Sequence, residues 1–234
     1  MDTAAEDLTR LSGTGAGERD QGLELALARF GAEPCVVVGH DREARSRSGP
    51  FGPAGLREAR RGMRIAAELR LPLVTVVDTP GAALSPAAEQ GGLAGEIARC
   101  LAELTTLPSP TVCLLLGEGA GGGALALFPA DRVVAARHGW LSPLPPEGAS
   151  AILYRTTDRA AEVARRQGVR SRDLLAAGIA DRLVEECPDA ADEPAAFLGR
   201  VGAVLEEELA GLADRDPQAR LADRRARYRR LGLR

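Results

Sequence analysis

The sequence predicts an α/β protein with a mainly parallel sheet that is covered by helices. An apolar, β-branched run at residues 73–77 is followed by a helical pattern over residues 86–107 and then by a second apolar run at residues 111–116. A parallel pair of strands needs a long crossover connection, which a helix usually supplies. Both runs are apolar throughout, as is typical of strands in a covered parallel sheet.

The N-terminal part of the chain predicts an arm, a hairpin, a loop and a helix. Residues 1–22 are mostly polar and glycine-containing, which is compatible with either a mobile arm or an active-site loop. Residues 23–39 contain an apolar segment, a turn with glycine and proline, and a β-branched segment, which together predict a hairpin. Residues 42–55 are rich in arginine and glycine and predict a loop, and the amphipathic pattern of residues 53–70 predicts a helix.

The C-terminal part predicts short strands, several helices and a basic terminal helix. A short helix is expected at residues 121–128, and short strands at residues 132–136 and 179–184. Three further helices are predicted at residues 146–154, 158–167 and 171–177, the last with Ser171 as its N-cap. Two helices that separate near Asp216 follow over residues 192–234. The second one carries arginines that predict a solvated basic face or, less commonly, a docking surface: Arg220, Arg224, Arg225, Arg227, Arg229 and Arg230.

Composition argues against several functional classes. The net charge is −3 and only 3% of the 234 residues are aromatic, so the basic field and stacking surface of a nucleic-acid-binding protein are absent. The chain contains no lysine, which removes lysine-bearing phosphate loops and Schiff-base chemistry. Four dispersed cysteines and two histidines predict buried thiols in a reducing compartment and no metal in this chain. No apolar run reaches the length of a membrane span, so we expect a cytoplasmic protein.

A glycine cluster at residues 119–124 follows the second apolar run directly. Four glycines and two alanines remove side chains from the backbone where a helix is expected to begin. Free N–H groups and the positive end of the helix dipole could therefore face a developing negative oxygen. The alternative is a tight turn whose glycines only permit close packing. The overlapping dinucleotide pattern Gly117-x-Gly119-x-x-Gly122 lacks the acidic residue that should end the next strand.

Three motifs follow one another in a fixed order: Asp78-Thr-Pro-Gly-Ala82, Gly117-Glu-Gly-Ala-Gly-Gly-Gly-Ala-Leu-Ala126 and Pro146-Glu-Gly-Ala-Ser150. Together they resemble the carboxyltransferase α subunit of acetyl-CoA carboxylase, and especially the α-like C-terminal half of fused actinobacterial carboxyltransferases. The resemblance extends over residues 31–186. It implies the crotonase fold, a spiral of ββα units. The expected organisation is a polar arm at residues 1–22, a crotonase-fold domain at residues 23–190 and a helical extension at residues 191–234.

The resemblance also implies an activity and its partners. Such proteins transfer a carboxyl group from carboxybiotin on a biotin carboxyl carrier protein to an acyl-CoA. Acetyl-CoA is the expected substrate, and the product would be malonyl-CoA for fatty-acid biosynthesis. The protein supplies two oxyanion holes and no base of its own, one hole for the thioester enolate and one for the ureido oxygen of biotin. The family's β subunit carries the zinc ribbon and the acyl-CoA hole, so activity is expected only with a β-type partner in a hetero-oligomer such as α2β2.

The resemblance assigns roles to particular residues. The biotin-side oxyanion hole falls on Gly122, Gly123 and Ala124. Gly81 and Ala82 are expected to shape the floor of the pocket. Further substrate-binding residues are expected at Gly119, Glu147 and Gly148.

Several polar residues have a structural and a functional interpretation. Asp78 is expected to hold its turn by accepting N–H bonds, and Glu118 either orders the glycine loop or faces solvent. His40 and His138 are expected to be structural residues. Arg45 and Arg47 are expected to be exposed loop residues, with contact to a CoA phosphate as the alternative.

Two other functions stay open. One is a different crotonase-fold acyl-CoA enzyme, such as a hydrolase, isomerase or decarboxylase subunit, and the other is a non-catalytic homologue that binds a partner. The combined motifs favour the carboxyltransferase.

Overall fold

The computed structural model describes residues 5–231 and contains an eight-stranded sheet with helices on both faces. The strands are β1 (Glu6–Leu11), β2 (Leu23–Phe30), β3 (Glu33–His40), β4 (Leu73–Thr79), β5 (Thr111–Ala120), β6 (Arg132–Ala136), β7 (Trp140–Ser142) and β8 (Arg182–Val184). The helices are α1 (Arg42–Ser48), α2 (Pro53–Leu69), α3 (Pro86–Gln90), α4 (Leu93–Thr106), α5 (Gly121–Leu125), α6 (Pro146–Tyr154), α7 (Ala160–Gln167), α8 (Ser171–Ala176), α9 (Pro194–Ala213) and α10 (Pro217–Leu231).

The predicted parallel sheet is confirmed. Strands β3, β4, β5, β6 and β8 are neighbours in this order, and each pair is parallel. The short strand β7 pairs with the last residues of β5. The predicted hairpin is also present, since β2 and β3 are antiparallel with Leu23 opposite His40 and Phe30 opposite Glu33. The carboxyl ends of the parallel strands therefore meet at one edge of the sheet, where ligands bind in many open α/β sheets.

Both faces of the sheet are buried because its central strands are apolar. Side chains alternate between the faces, so Val36 and Val38 of β3 join one core cluster while Cys35 and Val37 join the other. Helices α2, α4 and α5 contribute to the first cluster, and α9 contributes to the second. None of the helices within residues 5–231 is both long and apolar enough to cross a bilayer.

The N-terminal arm is more ordered than its polar composition suggests. Residues 6–11 form the edge strand β1, which pairs antiparallel to β2 with Leu11 opposite Leu25. The following glycine-containing loop is held against α2, because the Gly13 N–H donates to Glu58 Oε1 at 2.7 Å and Arg61 donates to the Gly13 carbonyl at 2.8 Å. The arm thus extends the sheet and docks on a helix.

Two local expectations were wrong. Part of the predicted loop at residues 42–55 forms helix α1, which begins where the Asp41 carboxylate accepts the N–H of Ala44 at 2.9 Å. Ser171 is the first helical residue of α8 and not its N-cap; its hydroxyl donates to the carbonyl oxygen of Arg137. Arg170 takes the N-cap position.

The basic helix α10 turns part of its charge inward, which contradicts the expectation of a uniformly solvated or docking face. Arg220 and Arg224 are each 2% exposed. Both contact the buried carboxylate of Asp131, with Nη to Oδ2 distances of 2.9 and 2.6 Å. Arg224 also donates to the carbonyl oxygens of Leu104 and Leu107 at 2.9 Å. Helix α10 is therefore fastened to the sheet and to the end of α4 by buried charge, while the exposed arginines are Arg225, Arg229 and Arg230.

Candidate active site

The glycine cluster forms the transition from β5 to α5. Strand β5 ends at Ala120, and α5 begins at Gly121, whose φ of 65° lies in the left-handed region that glycine tolerates best. The first-turn N–H groups of a helix have no intrahelical acceptor, and here they belong to Gly121, Gly122 and Gly123. Ala124 comes one residue later, where the N–H can bond to the carbonyl of the N-cap residue Ala120. The parallel pairing of Ala120 with Ser142 engages the Gly121 N–H with the Ser142 carbonyl, because Pro143 has no N–H to donate. The candidate backbone donors are therefore Gly122 and Gly123.

The missing side chains at Gly122 and Gly123 also allow close packing. A Cβ atom at Gly123 would lie 2.8 Å from Cζ of Phe51 and 3.0 Å from the backbone nitrogen of Ala82. At Gly122 it would lie 3.0 Å from Cδ1 of Ile97. The close-packing interpretation therefore applies to both residues. It does not compete with the oxyanion interpretation, because the Cβ direction and the N–H group are different features of the same residue.

The turn after β4 lies beside the glycine cluster, as the resemblance implies. The Gly81 N–H donates to the hydroxyl of Thr79 at 3.1 Å, and that hydroxyl donates to the Gly81 carbonyl at 3.0 Å. The Ala83 N–H donates to the Phe51 carbonyl at 2.9 Å. Gly81 has a φ of 134° and faces open space. These hydrogen bonds fix the turn beside Gly123, and Ala82 is the turn residue that packs against Gly123.

The other predicted site residues lie in different surroundings. Gly119 is buried within β5 between Thr79 of β4 and Leu141 of β7, and a Cβ there would meet the Trp140 carbonyl at 2.8 Å. The absence of a side chain at Gly119 allows this close approach of β7. Glu147 is exposed and Gly148 half-buried at the start of α6. The segment before α6 approaches the glycine turn, since a Cβ at Gly121 would lie 3.7 Å from the Pro143 carbonyl.

A charged cluster supports β5 immediately before the glycines. Oδ1 of Asp78 accepts the N–H of Glu118 at 3.0 Å, so this carboxylate holds β5, whereas the sequence predicted that it would hold its own turn. The Glu118 carboxylate lies 3.5 Å from Nη1 of Arg45 and 3.9 Å from Nη2 of Arg42. These contacts favour an ordering role for Glu118. Arg45 lies on helix α1, and its guanidinium group faces the Glu118 carboxylate.

His40 ends β3 behind this cluster. Its Nδ1 accepts the backbone N–H of Asp78 at 3.3 Å, and its ring lies 4.7 Å from that of Phe51. Burial lowers the pKa of His40 to about 3, so the imidazole is neutral at physiological pH and can act as this acceptor. The structural role expected for His40 fits this geometry. Arg47 pairs with Glu43 on α1 at 2.5 Å.

Sequence reasoning missed Phe51, which contacts the glycine turn, His40 and the turn after β4. Phe51 is 2% exposed, and only 3% of the residues in the chain are aromatic. It lies in the sequence Gly-Pro-Phe-Gly-Pro at residues 49–53. A single aromatic residue between two glycine- and proline-containing turns was the available signal for a packed position.

Large apolar side chains are exposed on the segments that flank the glycine turn. Leu84 follows the turn after β4 and is 93% exposed. Leu144 follows Pro143 and is 40% exposed, and on α6 Ile152 and Leu153 are 72% and 62% exposed. Exposed apolar residues that cluster along one region commonly mark an interaction surface.

The chain has the crotonase fold, as its likeness to solved structures shows. The structure of transcarboxylase 12S with methylmalonyl-coenzyme A and methylmalonic acid bound has a TM-score of 0.71 at 20% identity, over 83% of this chain and 37% of that chain. The family model described as "Acetyl co-enzyme A carboxylase carboxyltransferase-like" matches residues 1–232. The chain therefore belongs to the acetyl-CoA carboxylase carboxyltransferase-like family.

Two relatives illustrate the range of the family. The probable biotin-dependent acyl-coenzyme A carboxylase beta3 subunit of Mycobacterium tuberculosis is 59% identical over 229 residues, which are 98% of this chain and 46% of the relative. The acetyl-coenzyme A carboxylase carboxyl transferase subunit alpha of Rubrobacter xylanophilus is 37% identical over 238 residues, which are 99% of this chain and 74% of the relative. The chain thus spans about half the length of the beta3 subunit. The first relative is named as a beta subunit and the second as an alpha subunit.

Proposed function

We propose that this chain is the α-type component of an acyl-CoA carboxyltransferase. It would transfer a carboxyl group from carboxybiotin on a carrier protein to an acyl-CoA, with acetyl-CoA as substrate and malonyl-CoA as product. Membership of the family and the names of the two relatives support carboxyl transfer in a biotin-dependent enzyme. The observation that carries the proposal is the glycine turn, whose first-turn N–H groups lie beside the fixed turn at residues 81–82.

The glycine turn is suited to stabilising a negative oxygen. Two consecutive first-turn N–H groups, those of Gly122 and Gly123, have no acceptor within the helix and could donate to one oxygen. The side chains that contact the turn are apolar, those of Phe51, Ile97 and Ala82. A low-polarity wall strengthens hydrogen bonds to a developing charge. What this chain contributes to catalysis is therefore electrostatic stabilisation by backbone donors.

The backbone N–H groups of the glycine turn would suit the ureido oxygen of biotin. This oxygen gains negative charge during the reaction, and hydrogen-bond donors can stabilise that charge without a metal or a base at the same atom. Carboxybiotin would supply the carboxyl group that is transferred. Gly122 and Gly123 would donate to the ureido oxygen, and the hydrogen-bonded turn at Gly81 and Ala82 would limit how the ring can lie. Loss of one such donor typically lowers kcat by about 10²–10³.

A β-type partner would complete the site. The acyl-CoA thioester needs a second oxyanion hole, which we assign to that partner. The exposed apolar residues Leu84, Leu144, Ile152 and Leu153 lie on the segments after β4 and around α6 and would lie against the partner when the two components meet. Burying such side chains contributes about 25 cal/mol per Å² of apolar area. The active site would thus form between the two components.

The test is a decarboxylation assay with malonyl-CoA and a biotin derivative, run with the purified chain alone and with a zinc-ribbon β-type carboxyltransferase component. We expect no turnover above background for the chain alone and robust turnover for the complex. The same assay with methylmalonyl-CoA compares acyl preferences. Turnover by the chain alone at the level of the complex would refute the two-component proposal.

A further inference from the structure

A second group of ligand-type side chains lies at the carboxyl edge of the sheet, on the loops after β6 and β8. His138 lies two residues after β6, and Glu186 lies two residues after β8. Since β6 and β8 are neighbouring parallel strands, these loops meet at the same edge. Nδ1 of His138 is 3.2 Å from Oε2 of Glu186 and 3.7 Å from Oδ2 of Asp189. All three atoms lie within 4.8 Å of one another.

The backbone orients both carboxylates around the imidazole. Oε1 of Glu186 accepts the N–H of His138 at 2.9 Å, and Oε2 accepts the N–H of Ala190 at 3.1 Å. Oδ1 of Asp189 accepts the N–H of Ala191 at 2.9 Å, which leaves Oδ2 for the imidazole side. Each carboxylate oxygen has two lone pairs, so these bonds fix the side chains and still leave electron pairs for a cation. The donors are arranged before any ligand arrives.

Charge and access also favour a cation. The group borders a cavity of about 420 Å³ whose lining includes the further carboxylates Asp78 and Glu118. Arg42 in that lining is engaged by these two residues, at 3.6 and 3.9 Å. Glu186 and Asp189 therefore bring two negative charges to one imidazole. The Glu186 side chain is 6% exposed while that of Asp189 is 57% exposed, so the group is anchored on one side and open on the other.

We propose that His138, Glu186 and Asp189 bind a divalent first-row transition ion such as Zn²⁺. One imidazole nitrogen and two carboxylate oxygens suit Zn²⁺ and its neighbours in the series, whereas Mg²⁺ and Ca²⁺ prefer all-oxygen sites. Three protein ligands leave coordination positions for water from the cavity. The bound ion would join the loop after β6 to the segment that leads into α9. The site is separate from the glycine turn and does not depend on the proposed carboxyl transfer.

The experiment is a titration of the chelator-treated, full chain with Zn²⁺ by calorimetry and with Co²⁺ by visible absorption. We expect one ion per chain, with Mg²⁺ at the same concentration giving no heat of binding. Asp189→Asn keeps an oxygen acceptor for Ala191, and His138→Gln keeps the backbone N–H that Glu186 accepts. Each of these variants should weaken Zn²⁺ binding by at least about tenfold, since even outer-shell substitutions commonly cost that much.

Two controls separate this site from other ligands on the chain. Glu185→Gln alters the neighbouring carboxylate, which pairs with Arg137, and should bind Zn²⁺ like the wild type. Cys187 is exposed and adjacent in sequence to Glu186, so Cys187→Ser should also bind normally. Thermal melting without metal verifies that each variant folds. Wild-type Zn²⁺ affinity in the His138 and Asp189 variants, loss of binding in Cys187→Ser, or no binding by the wild type at millimolar Zn²⁺ would overturn the proposal.

Discussion

At Gly122, the absent side chain and the backbone N–H serve different purposes. The three atoms nearest to a Cβ at this position all belong to the Ile97 side chain, Cδ1 at 3.0 Å, Cγ2 at 3.5 Å and Cγ1 at 3.9 Å. The N–H group belongs to the first turn of α5 and has no intrahelical acceptor. Because proline lacks an N–H and is tolerated in the first turn of a helix, the two properties can be altered separately.

We predict that Gly122→Pro lowers kcat of the two-component enzyme by about 10²–10³, the loss typical of one oxyanion-hole donor. Gly122→Ala is the matched control, because it introduces the same contact with Ile97 but keeps the N–H. It should retain activity within about tenfold of wild type, and both variants should still assemble with the β-type partner. The measurements are kcat, KM and complex formation. Equal activities for the proline and alanine variants would show that this N–H is no catalytic donor.

Glu58 is a buried carboxyl group that holds the loop after β1. It is 2% exposed, and Oε1 accepts the Gly13 N–H at 2.7 Å. Burial raises the pKa of Glu58 above its ordinary value, despite the opposing effect of backbone hydrogen bonds. A raised folded-state pKa means that the native state keeps the proton to higher pH than the unfolded chain. The stabilisation is complete below the unfolded-state pKa and is lost as pH rises through the folded-state pKa.

We therefore predict that Glu58→Gln stabilises the chain at pH 7 but not at pH 4, near the ordinary glutamate pKa of about 4.3. The glutamine oxygen can still accept the Gly13 N–H and does not ionise. Urea unfolding at several pH values should show a difference from wild type that grows as pH rises. The exposed residue Glu89 supplies the control, since Glu89→Gln should leave the pH profile unchanged. A difference that is constant with pH would contradict the assignment.

The most deeply buried attachment of the element α10 is the carboxylate of Asp131, and a second ion pair joins Arg227 to Asp181 at 2.7 Å. Oδ2 of Asp131 accepts from Arg220 and Arg224 and also from the backbone N–H of Thr111 at 2.8 Å. The Arg224 and Asp131 side chains are 0% and 1% exposed. Removing one partner of such a buried group leaves an uncompensated charge, which costs far more than losing a surface ion pair.

We predict that Asp131→Ala lowers the free energy of unfolding by about 3–5 kcal/mol, because two buried guanidinium groups lose their counter-charge. Arg225→Gln, on the exposed side of the same helix, should change it by no more than about 0.5 kcal/mol. Urea denaturation of both variants measures these values. A loss below about 1 kcal/mol for Asp131→Ala would indicate that α10 is only loosely attached.

Across the whole molecule, exposed apolar side chains lie on several elements, and the most exposed are Leu84, after β4, and Ile152 and Leu153, on α6. Leu69 lies at the end of α2 and is 55% exposed. If Leu84, Ile152 and Leu153 contact the β-type partner, their replacement should weaken assembly without lowering the stability of the isolated chain. Leu69 is a control of comparable exposure on another element.

We predict that the double variant Ile152→Ser, Leu153→Ser weakens binding to the β-type partner by at least about tenfold, since a few interface residues carry most of the binding free energy and each costs about 2 kcal/mol or more when truncated. Leu69→Ser should bind like the wild type. Affinity is measured by calorimetry and chain stability by thermal melting. Unchanged affinity in the double variant would place the partner elsewhere on the molecule.

Much of the fold was predictable because its signals are local. The apolar β-branched runs, the turn at residues 31–34 and the amphipathic pattern of α2 lie within short windows, and all three elements were predicted. The strand β5 continues to Ala120, beyond the expected end at residue 116, because Gly119 pairs with β4 on one side and β7 on the other. Such pairing depends on residues far along the chain and leaves no local pattern.

The parallel α/β architecture, the family and the position of the glycine turn could be predicted from the sequence alone, because strand patterns and motifs are properties of neighbouring residues. Which distant groups meet depends on how the chain folds. Asp131 lies 93 positions before Arg224, and His138 lies 48 positions before Glu186. The His138 group forms because the parallel strands β6 and β8 end at the same edge, and the attachment of α10 forms because this helix packs against Asp131, at the start of β6. Charge alone could not distinguish a buried arginine from a solvated one, since burial depends on the partner that the fold supplies.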